Sequence, residues 1–407
     1  MNRVVITGIG IYSCIGERLD VVRDSLYMGK SGIGFDQGRK EFGFRSGLTG
    51  ILSPPDLKSI LSRRQRIGLA ESAEYAVVAT EEALAAAGMD HDYLDKYDVG
   101  LIYGNDSSAL AVVDGIDALR AKKDTTLIGS GSIFQSMNST VTMNLATIYK
   151  IKGINFTVSA ACASGSHAIG LGYFLIRHGM QERIICGGAQ EVNPYSMASF
   201  DGLSAFSMRE NEPAKACRPF DKDRDGLVPS GGAATVILES YDSAIRRGAR
   251  IFGEVIGYGF SSNGAHISQP SIEGPVKSLE MSLRDAGITP ADVDYINAHA
   301  TSTPIGDRSE AEAIHHVFGQ SKPLLSSTKS MTGHECWMAG ASEIVYSVLM
   351  MRDGFVAPNI NFEEGDEITG KLNIVRETVE TPIKTFLSNS FGFGGTNSSL
   401  VVKKVED

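Results

Sequence analysis

The chain has few cysteines, and their spacing argues against both a disulfide scaffold and a zinc site. Five occur among 407 residues, an odd number, and no two of them are as close as a metal-ligand pair. This usage favours a reducing compartment, where thiols stay free. The five are Cys14, Cys162, Cys186, Cys217 and Cys336.

Long hydrophobic runs and an excess of positive charge are also missing. No apolar stretch reaches the length that spans a bilayer, and residues 1–8 lead directly into a strand without the pattern of a secretory signal. With 38 Lys and Arg against 48 Asp and Glu, the net charge of −10 argues against a general attraction to nucleic acid or to an anionic membrane. We expect a cytoplasmic protein that binds neither.

The first strand leads into a glycine-rich turn that lacks the features of a dinucleotide site. Gly8, Gly10 and Gly16 do not have the G-x-G-x-x-G spacing, and no acidic residue ends a second strand at the expected distance. These glycines are more typical of a tight turn packed against a sheet.

What is present is the composition of an ordinary globular protein, with 42 % hydrophobic and 21 % charged residues. Short apolar segments alternate with helical patterns, and the alternation restarts near residue 251. The pattern predicts an α/β fold with largely parallel, buried sheets, divided into residues 1-250 and 251-407. Because no low-complexity linker separates these halves, we expect them to share one interface.

Cys162 lies where a predicted strand meets a predicted helix. Residues 154–159 have the pattern of a short buried strand, and residues 166–178 carry apolar side chains at helical intervals. A cysteine beside a helix N-terminus meets unpaired N–H groups and the positive end of the helix dipole, which stabilise a thiolate. Cys162 is therefore a candidate nucleophile, and a buried structural cysteine is the alternative.

Four other segments are more polar or richer in glycine than their surroundings: residues 219–226, 297–307, 327–334 and 389–397. They contain His299, Lys329 and His334, each on a loop at the end of a predicted strand, where α/β proteins place their chemistry. A single histidine would more often be an ordinary core residue. Two histidines, a lysine and a candidate nucleophile together favour an active site.

These motifs resemble those of the β-ketoacyl-acyl carrier protein synthases, the decarboxylating Cys-His-His condensing enzymes with the thiolase fold. The resemblance runs from residues 4–10 to the Gly-Phe-Gly-Gly-Thr-Asn motif at 392–397, includes five motifs in the same order, and is greatest to the type I elongation synthase. It implies two duplicated α/β halves in a layered αβαβα sandwich, with the site at their junction. It further implies a cytoplasmic homodimer, or a heterodimer with a related chain, and no metal cofactor for the chemistry.

The resemblance implies a decarboxylative Claisen condensation in fatty-acid chain elongation, with both substrates carried by acyl carrier protein. Cys162 would accept an acyl chain as a thioester, while His299 and His334 would donate hydrogen bonds to the malonyl thioester carbonyl. This role needs neutral imidazoles whose tautomers are fixed by their surroundings. Lys329 would hold and polarise the histidines, with Glu310 as its carboxylate partner.

The same resemblance assigns residues to the oxyanion and to the carrier arm. The backbone N–H groups of Cys162 and Phe393 would hold the tetrahedral oxyanion. Thr301 and Thr303 would hydrogen-bond the phosphopantetheine arm in an otherwise apolar tunnel. Phe391 and Phe393, in a glycine-rich loop, would act as gates between the acylated and the free enzyme.

Two further sets of residues correspond to family positions, and both have a plain structural alternative. Phe200 and Leu227 match acyl-pocket positions, although Phe200 is equally well explained as a core aromatic residue. A structural monovalent cation is implied by four residues for which ordinary buried hydrogen bonding is the alternative. These four are Asn297, Glu343, Ser388 and Asn389.

Two basic clusters stand out in this acidic chain. A solvated charged surface is the default interpretation of such clusters. The resemblance favours docking of the acidic carrier protein, because matched local charges raise the rate of association. The clusters are Arg63, Arg64 and Arg66, and Arg120, Lys122 and Lys123.

The chain departs from the family pattern at two places. Ala300 follows the first histidine where the family usually has glycine. After His334, bulky residues that include the single tryptophan, Trp337, stand where the family commonly has small ones. We expect Trp337 to fill the core between sheet and helix; if it faces the site, the acyl chains that the pocket accepts would differ.

Alternative functions follow from these departures. The first is a specialised ketosynthase that extends polyene or other unusual acyl chains, and the second is a non-catalytic chain-length partner. Retention of Cys162, His299, Lys329 and His334 argues against the second. A degradative thiolase is disfavoured because no second cysteine occurs in the C-terminal motif, and His334 excludes the Cys-His-Asn variant that uses acyl-coenzyme A.

Overall fold

The structure is a computed structural model that describes residues 1–268 and 270–406. Its strands are β1 (Val4–Ser13), β2 (Ile33–Phe35), β3 (Leu48–Gly50), β4 (Gly100–Gly104), β5 (Asn155–Val158), β6 (Arg183–Gln190), β7 (Gly232–Ser240), β8 (Gly253–Ser262), β9 (Tyr295–Asn297), β10 (Leu324–Ser326), β11 (Phe355–Val356), β12 (Val379–Glu380), β13 (Thr385–Phe391) and β14 (Thr396–Lys403).

The helices alternate with these strands along most of the chain. They are α1 (Leu19–Met28), α2 (Gln37–Phe42), α3 (Arg63–Arg66), α4 (Glu71–Ala87), α5 (His91–Lys96), α6 (Leu110–Lys122), α7 (Ser132–Ser136), α8 (Thr140–Ile148), α9 (Ser164–Arg177), α10 (Pro194–Gly202), α11 (Tyr241–Arg246), α12 (Glu273–Ala286), α13 (Pro304–Phe318), α14 (Lys329–Thr332) and α15 (Ala339–Asp353). None of these described helices combines the length and the apolar character needed to cross a membrane.

Ten strands form one sheet whose two halves have the same strand order. From the middle outward, the first half runs β1-β7-β6-β4-β5 and the second runs β8-β14-β13-β9-β10. The halves join where β1 and β8 pair antiparallel through Val4, Val5 and Ile6. Each half thus repeats one five-stranded topology, which confirms the duplication that the resemblance implies.

The prediction of a largely parallel sheet is wrong. Parallel pairing is confined to β4 with β5 and β6, and to β9 with β10 and β13. The strands near the middle of the sheet, β7, β1, β8 and β14, pair antiparallel. Alternating helices and strands do not reveal direction where a tight turn, such as that between β13 and β14, reverses the chain.

The two halves of the sheet form two separate β layers. Helices lie outside these layers and between them, which gives the αβαβα arrangement. One outer layer contains α4 and α8, which contact the first half, and the other contains α12 and α13, which belong to the second half. The middle layer consists of α9 and α15, which contact each other and strands of both halves. Side chains of α15 from Ala339 to Met351 are all buried, including the polar Ser342, Glu343 and Ser347, so this helix lies entirely inside the protein.

The glycines of β1 allow helix α4 to pack closely on the sheet. A Cβ at Gly8 or Gly10 would collide with the backbone carbonyl of Ala83 or Ala79 in α4. The second half repeats this device, since Gly257 in β8 faces the carbonyl of Ser282 in α12. The prediction of a tight turn here is wrong, because Gly8 and Gly10 lie inside strand β1; the structure confirms only that these glycines pack against the sheet's neighbouring layer.

Candidate active site

Cys162 occupies a short turn between strand β5 and helix α9. The turn is a 3-10 segment, Ala161–Ala163, which leads directly into α9 at Ser164. Ala161 has a φ of 47°, and its N–H donates to Asp106 Oδ2 at 3.2 Å. Strand β5 is not buried as predicted, because it is the edge strand of the sheet and Phe156 is 55 % exposed. The nucleophile position itself is 4 % exposed.

Two histidines approach Cys162 from the second half of the chain. His299 follows strand β9, and His334 follows helix α14 and Gly333, whose φ is 70°. The backbone N–H of His334 donates to the carbonyl of Val228 at 2.7 Å, which holds the loop in place. His334 Nε2 lies 3.0 Å from Cys162 Sγ, and the two imidazole rings meet edge to face at 5.3 Å. One ligating atom from each of the three side chains lies within 4.8 Å of the other two.

Burial controls the protonation of this cluster. Burial raises the pKa of the Cys162 thiol to about 12, although the charge of Lys329 and the N–H groups of Phe393 and Cys162 act in the opposite direction. The expectation that the helix N-terminus makes Cys162 a ready thiolate is therefore wrong for the resting state. Burial first, and then Lys329, lowers the pKa of His299 and of His334 well below the usual value. Both imidazoles are neutral.

Lys329 pairs with Glu343, not with Glu310 as expected. Its ammonium hydrogen-bonds Glu343 Oε1, and both side chains are buried. The Glu310 carboxylate instead accepts the backbone N–H of His299 at 2.9 Å and that of Ala300 at 2.6 Å. Glu310 thereby fixes the backbone that carries His299, and Ala300 is accommodated. The Nδ1 atoms of both histidines lack a hydrogen-bond partner among the described residues.

The residues expected to hold a cation lie together behind the histidines. Asn297 and Ser388 are register partners in β9 and β13, and Asn297 Nδ2 donates to the carbonyl of Glu343 at 3.5 Å. Asn389 donates to Glu310 Oε1 at 3.1 Å. Glu343 Oε2 is buried without a hydrogen-bond partner in the described chain, so this donor set has one unpaired carboxyl oxygen available.

A cavity of about 410 Å³ leads from Cys162 to the surface. Thr301 Oγ1 and Thr303 Oγ1 lie 3.1 Å apart on its wall. A Cβ at Gly392 would lie 3.2 Å from the backbone nitrogen of Cys162, so the loop after β13 approaches the nucleophile closely. The sequence-predicted residues that line the cavity are Cys162, His299, His334, Thr301, Thr303, Glu310, Phe200, Leu227, Phe391 and Phe393.

The polar segment 219–226 supports the loop that contains Thr301 and Thr303. Arg224 Nε donates to the carbonyl of Thr303 at 3.3 Å, and Asp307 accepts the N–H of Phe220 at 2.8 Å and that of Thr303 at 3.2 Å. The supporting roles of Arg224 and Asp307 were not predicted from the sequence. They could have been recognised, because both are charged residues inside the polar segments 219–226 and 297–307.

Trp337 is 8 % exposed and does not line the cavity, as expected of a core residue, and it lies in the same part of the core as Cys162. It belongs to a buried apolar cluster that contains Cys162, and its Nε1 donates to Ser107 Oγ at 3.3 Å. We call this set the acyl-side cluster; it consists of Phe44, Ala161, Cys162, Met197, Phe200, Ala205, Phe206, Leu227, Cys336 and Trp337.

The two basic clusters lie on the surface, in α3 and at the C-terminal end of α6. Helix α3 begins with a capping box made by Ser62 and Gln65. Arg120 forms an ion pair with Asp117 at 3.5 Å. Exposed members are Arg63, Arg64, Arg120, Lys122 and Lys123, whereas Arg66 is half-buried.

Comparisons with known proteins agree in one family. Residues 1–244 match the family described as Beta-ketoacyl synthase, N-terminal domain, and residues 252–363 match Beta-ketoacyl synthase, C-terminal domain. The 3-oxoacyl-(acyl-carrier-protein) synthase 1 of Escherichia coli is 42 % identical over 410 residues, covering 100 % of both chains.

Solved structures lead to the same family. A beta-ketoacyl synthase from Burkholderia phymatum has a TM-score of 0.93 at 34 % identity, with 100 % of each chain covered. The ketosynthase of AntDE:AntF, a type II PKS acyl-carrier protein in complex with its ketosynthase bound to the hexaketide, has a TM-score of 0.88 at 31 % identity and 100 % coverage of each chain. By its sequence, its thiolase-like fold and its relatives, the chain belongs to the β-ketoacyl synthase family of enzymes.

Proposed function

We propose that this enzyme condenses an acyl group held on Cys162 with malonyl-acyl carrier protein, as in fatty-acid chain elongation. The observation that carries the proposal is the convergence of Cys162, His299 and His334 at the inner end of a cavity open to the surface. A nucleophile and two neutral hydrogen-bond donors are the groups that this chemistry needs.

The first step is transfer of the acyl group to Cys162. Because burial raises the thiol pKa to about 12, the proton must leave as the sulfur attacks. The departing carrier thiolate takes up this proton as its C–S bond breaks, and His334, whose Nε2 lies 3.0 Å from the sulfur, keeps the N–H that the second step needs. One C–S bond forms, another breaks, and the imidazole ends neutral.

The second step is decarboxylation of the malonyl group followed by carbon–carbon bond formation. Imidazole N–H groups of His299 and His334 stabilise the enolate oxygen as carbon dioxide leaves, and their low pKa keeps them neutral before reaction. The enolate carbon attacks the thioester on Cys162. Backbone N–H groups of Cys162 and Phe393, which both face the sulfur, hold the oxyanion until the thiolate departs and is reprotonated.

Acyl carrier protein is the proposed partner in both steps. In the AntDE:AntF structure, a related ketosynthase is in complex with its acyl-carrier protein. Thr301 and Thr303 offer two hydroxyls on the cavity wall to the phosphopantetheine arm. The exposed basic residues of α3 and α6 supply positive charge for an acidic carrier protein in a chain whose net charge is −10.

A homodimer is the proposed assembly. The outer edge of β5 pairs with no strand among the described residues, and apolar side chains near it are exposed, with Phe156 at 55 %, Ile133 at 61 % and Phe134 at 51 %. Their elements are connected through α8, which contacts both α7 and β5. Light scattering should give twice the 43.5 kDa of one chain, and Phe156→Asp should lower that mass; a wild-type mass of 43.5 kDa would contradict the assembly.

A second candidate function is a specialised ketosynthase for polyene or polyketide-type chains. Trp337 in the acyl-side cluster favours it, because a bulky side chain there changes which acyl groups fit beside Cys162. Rates with saturated, cis-unsaturated and conjugated donors from butyryl to palmitoyl distinguish the two. A broad profile supports elongation, and a narrow profile restricted to short or conjugated donors supports the specialised role.

No organic cofactor or catalytic metal is proposed, and a structural monovalent cation would stabilise this part of the fold without taking part in the reaction. The buried Glu343 Oε2 without a partner is the group that supports such an ion. The melting temperature of the protein should be higher in potassium chloride than in choline chloride, and Asn297→Leu should remove this difference. A cytoplasmic location is proposed because Cys162 must stay a free thiol.

The proposal is tested by mixing the enzyme with acyl- and malonyl-loaded carrier protein and measuring carbon dioxide and 3-oxoacyl product together. Equal amounts of both are expected. Carbon dioxide without condensed product would contradict the nucleophile role of Cys162. Absence of both products would indicate the non-catalytic partner and refute the proposed function.

A further inference from the structure

We propose that Trp337 closes the acyl-binding side of Cys162 and restricts the enzyme to short acyl chains, with Ser107 and Glu335 as the residues that position it. This inference rests on the proposed condensation at Cys162 and names the substrate class of the same site; the short-chain profile that it predicts is the one that favours the second candidate function over general elongation. It concerns the segment after His334, where bulky residues stand at positions at which the family commonly has small ones.

The space around Cys162 is open in one direction and filled in the other. The cavity reaches the surface past Thr301, Thr303 and Asn263, which is the route of the carrier arm. On the other side lies the acyl-side cluster, where Met197 is fully buried and Phe206 and Trp337 are 4 % and 8 % exposed. An acyl chain on the sulfur must enter this cluster, because burial of its methylene groups is favourable there.

Phe200 separates the open and the filled sides. Its ring lies 6.0 Å from that of Phe393 on the cavity side and 6.2 Å from the indole of Trp337 on the cluster side. Phe200 lines the cavity, whereas Trp337 and Phe206 do not. Rotation of Phe200 would admit the first carbons of a chain, which would then meet the indole.

Trp337 is held by its side chain and by the segment that precedes it. Its Nε1 donates to Ser107 Oγ at 3.3 Å, on the loop between β4 and α6. Two residues earlier, the Glu335 carboxylate accepts hydrogen bonds from Ser13 at 2.8 Å, from Tyr346 at 2.9 Å and from Ser342. Because these partners come from both halves of the fold, the segment that carries Trp337 is fixed to β1 and to α15.

A fixed indole sets a limit on chain length. Extra methylene groups beyond the indole would overpack a cluster that is already close-packed, and overpacking is costly. Acetyl, butyryl and hexanoyl groups should therefore acylate Cys162 readily, and decanoyl and dodecanoyl groups poorly. In a hydrophobic pocket, each methylene group that does not fit lowers the rate by about tenfold or more.

The experiment measures acylation of Cys162 alone, by intact mass after mixing enzyme with each acyl-carrier protein from acetyl to dodecanoyl. For the wild type we expect a steep fall between the short and the long donors. Trp337→Ala should raise the rate with decanoyl at least about tenfold and change the acetyl rate little. Ser107→Ala, which frees the indole nitrogen, should give a smaller gain of the same sign.

Two further variants control for general loosening. Phe355→Leu replaces a buried ring with a smaller side chain in the main core, which is separate from the acyl-side cluster. The donor profile of this variant should match that of the wild type. Trp337→Phe keeps an aromatic ring and serves if Trp337→Ala does not fold; it should extend the range by fewer carbons.

The outcomes separate this inference from the proposed function. A wild type that takes dodecanoyl as fast as butyryl, or a Trp337→Ala profile equal to that of the wild type, would refute the inference while condensation itself persists. A wild type that accepts no acyl group from any donor would refute the proposed function and the inference together.

Discussion

The buried pair of Lys329 and Glu343 makes Lys329→Met a test of both stability and chemistry. The side chains of Lys329 and Glu343 are 2 % and 1 % exposed. Removing the cation leaves Glu343 without its charged partner in the interior, and breaking a buried pair in this way costs about 3–5 kcal/mol of unfolding free energy. Replacing both partners, in Lys329→Met/Glu343→Leu, leaves no buried charge, so its stability should lie within about 1 kcal/mol of the wild type.

The stability loss of Lys329→Met should depend on pH, with a sign that follows from Glu343. Burial raises the pKa of Glu343 to about 8, and Lys329 opposes that rise. Without Lys329 the folded-state pKa is higher still, so the folded protein keeps a proton that the unfolded chain loses above about pH 4.5. Stability therefore falls as pH rises from the unfolded to the folded pKa, and the loss should be smaller at pH 6 than at pH 8.

The same variant should change the pH dependence of catalysis. Lys329 lowers the pKa of His299 and of His334, so its removal should raise both pKa values. Protonated imidazoles appear at higher pH, and the acidic limb of malonyl decarboxylation shifts upward. Urea unfolding and decarboxylation rates, both measured from pH 6 to pH 8, test the prediction. A loss below about 1 kcal/mol together with an unshifted acidic limb would refute the assigned role of the pair.

Three more predictions concern the site and its surface. His299→Ala should lower malonyl decarboxylation at least about a hundredfold while Cys162 still gains an acyl mass; unchanged carbon dioxide release would contradict its role. Gly392→Ala places a Cβ 3.2 Å from the Cys162 nitrogen and should lower kcat about tenfold to a hundredfold, whereas Gly202→Ala, which has open space, should not. Replacing Arg63, Arg64 and Arg66 with Glu should lower kcat/KM for carrier-bound substrate about tenfold at low salt. Lys403→Glu/Lys404→Glu is the control. Equal effects of the two changes would show that α3 is an ordinary charged surface and not a docking site.

The sequence predicted the α/β class, the duplicated halves and the residues that meet at the site, because motifs at strand ends converge whatever the strand directions are. Strand direction and the exposed edge at β5 were not predictable, since both depend on how distant segments pair. The prediction of a thiolate at Cys162 was also wrong. A helix N-terminus is visible in sequence, but the depth of burial that outweighs it is not.

Side-chain pairing inside the site shows the same limit. Glu310 precedes Lys329 in the chain and Glu343 follows it, both at a short distance. Sequence spacing therefore does not indicate which of the two pairs with Lys329. The structure assigns Glu343 to Lys329 and Glu310 to the backbone at His299. Trp337 was visible as a departure from the family pattern, yet its place beside Cys162 depends on contacts with Phe200 and Ser107 from the other half of the chain.

Incubation of Cys162→Ala with malonyl-acyl carrier protein, in the presence of an acyl donor, tests the division of labour at this site most directly. Carbon dioxide should still be released, because His299 and His334 stay in place. No acyl mass should appear on the enzyme, and no 3-oxoacyl product should form. Condensed product from this variant would contradict the assignment of Cys162 as the nucleophile.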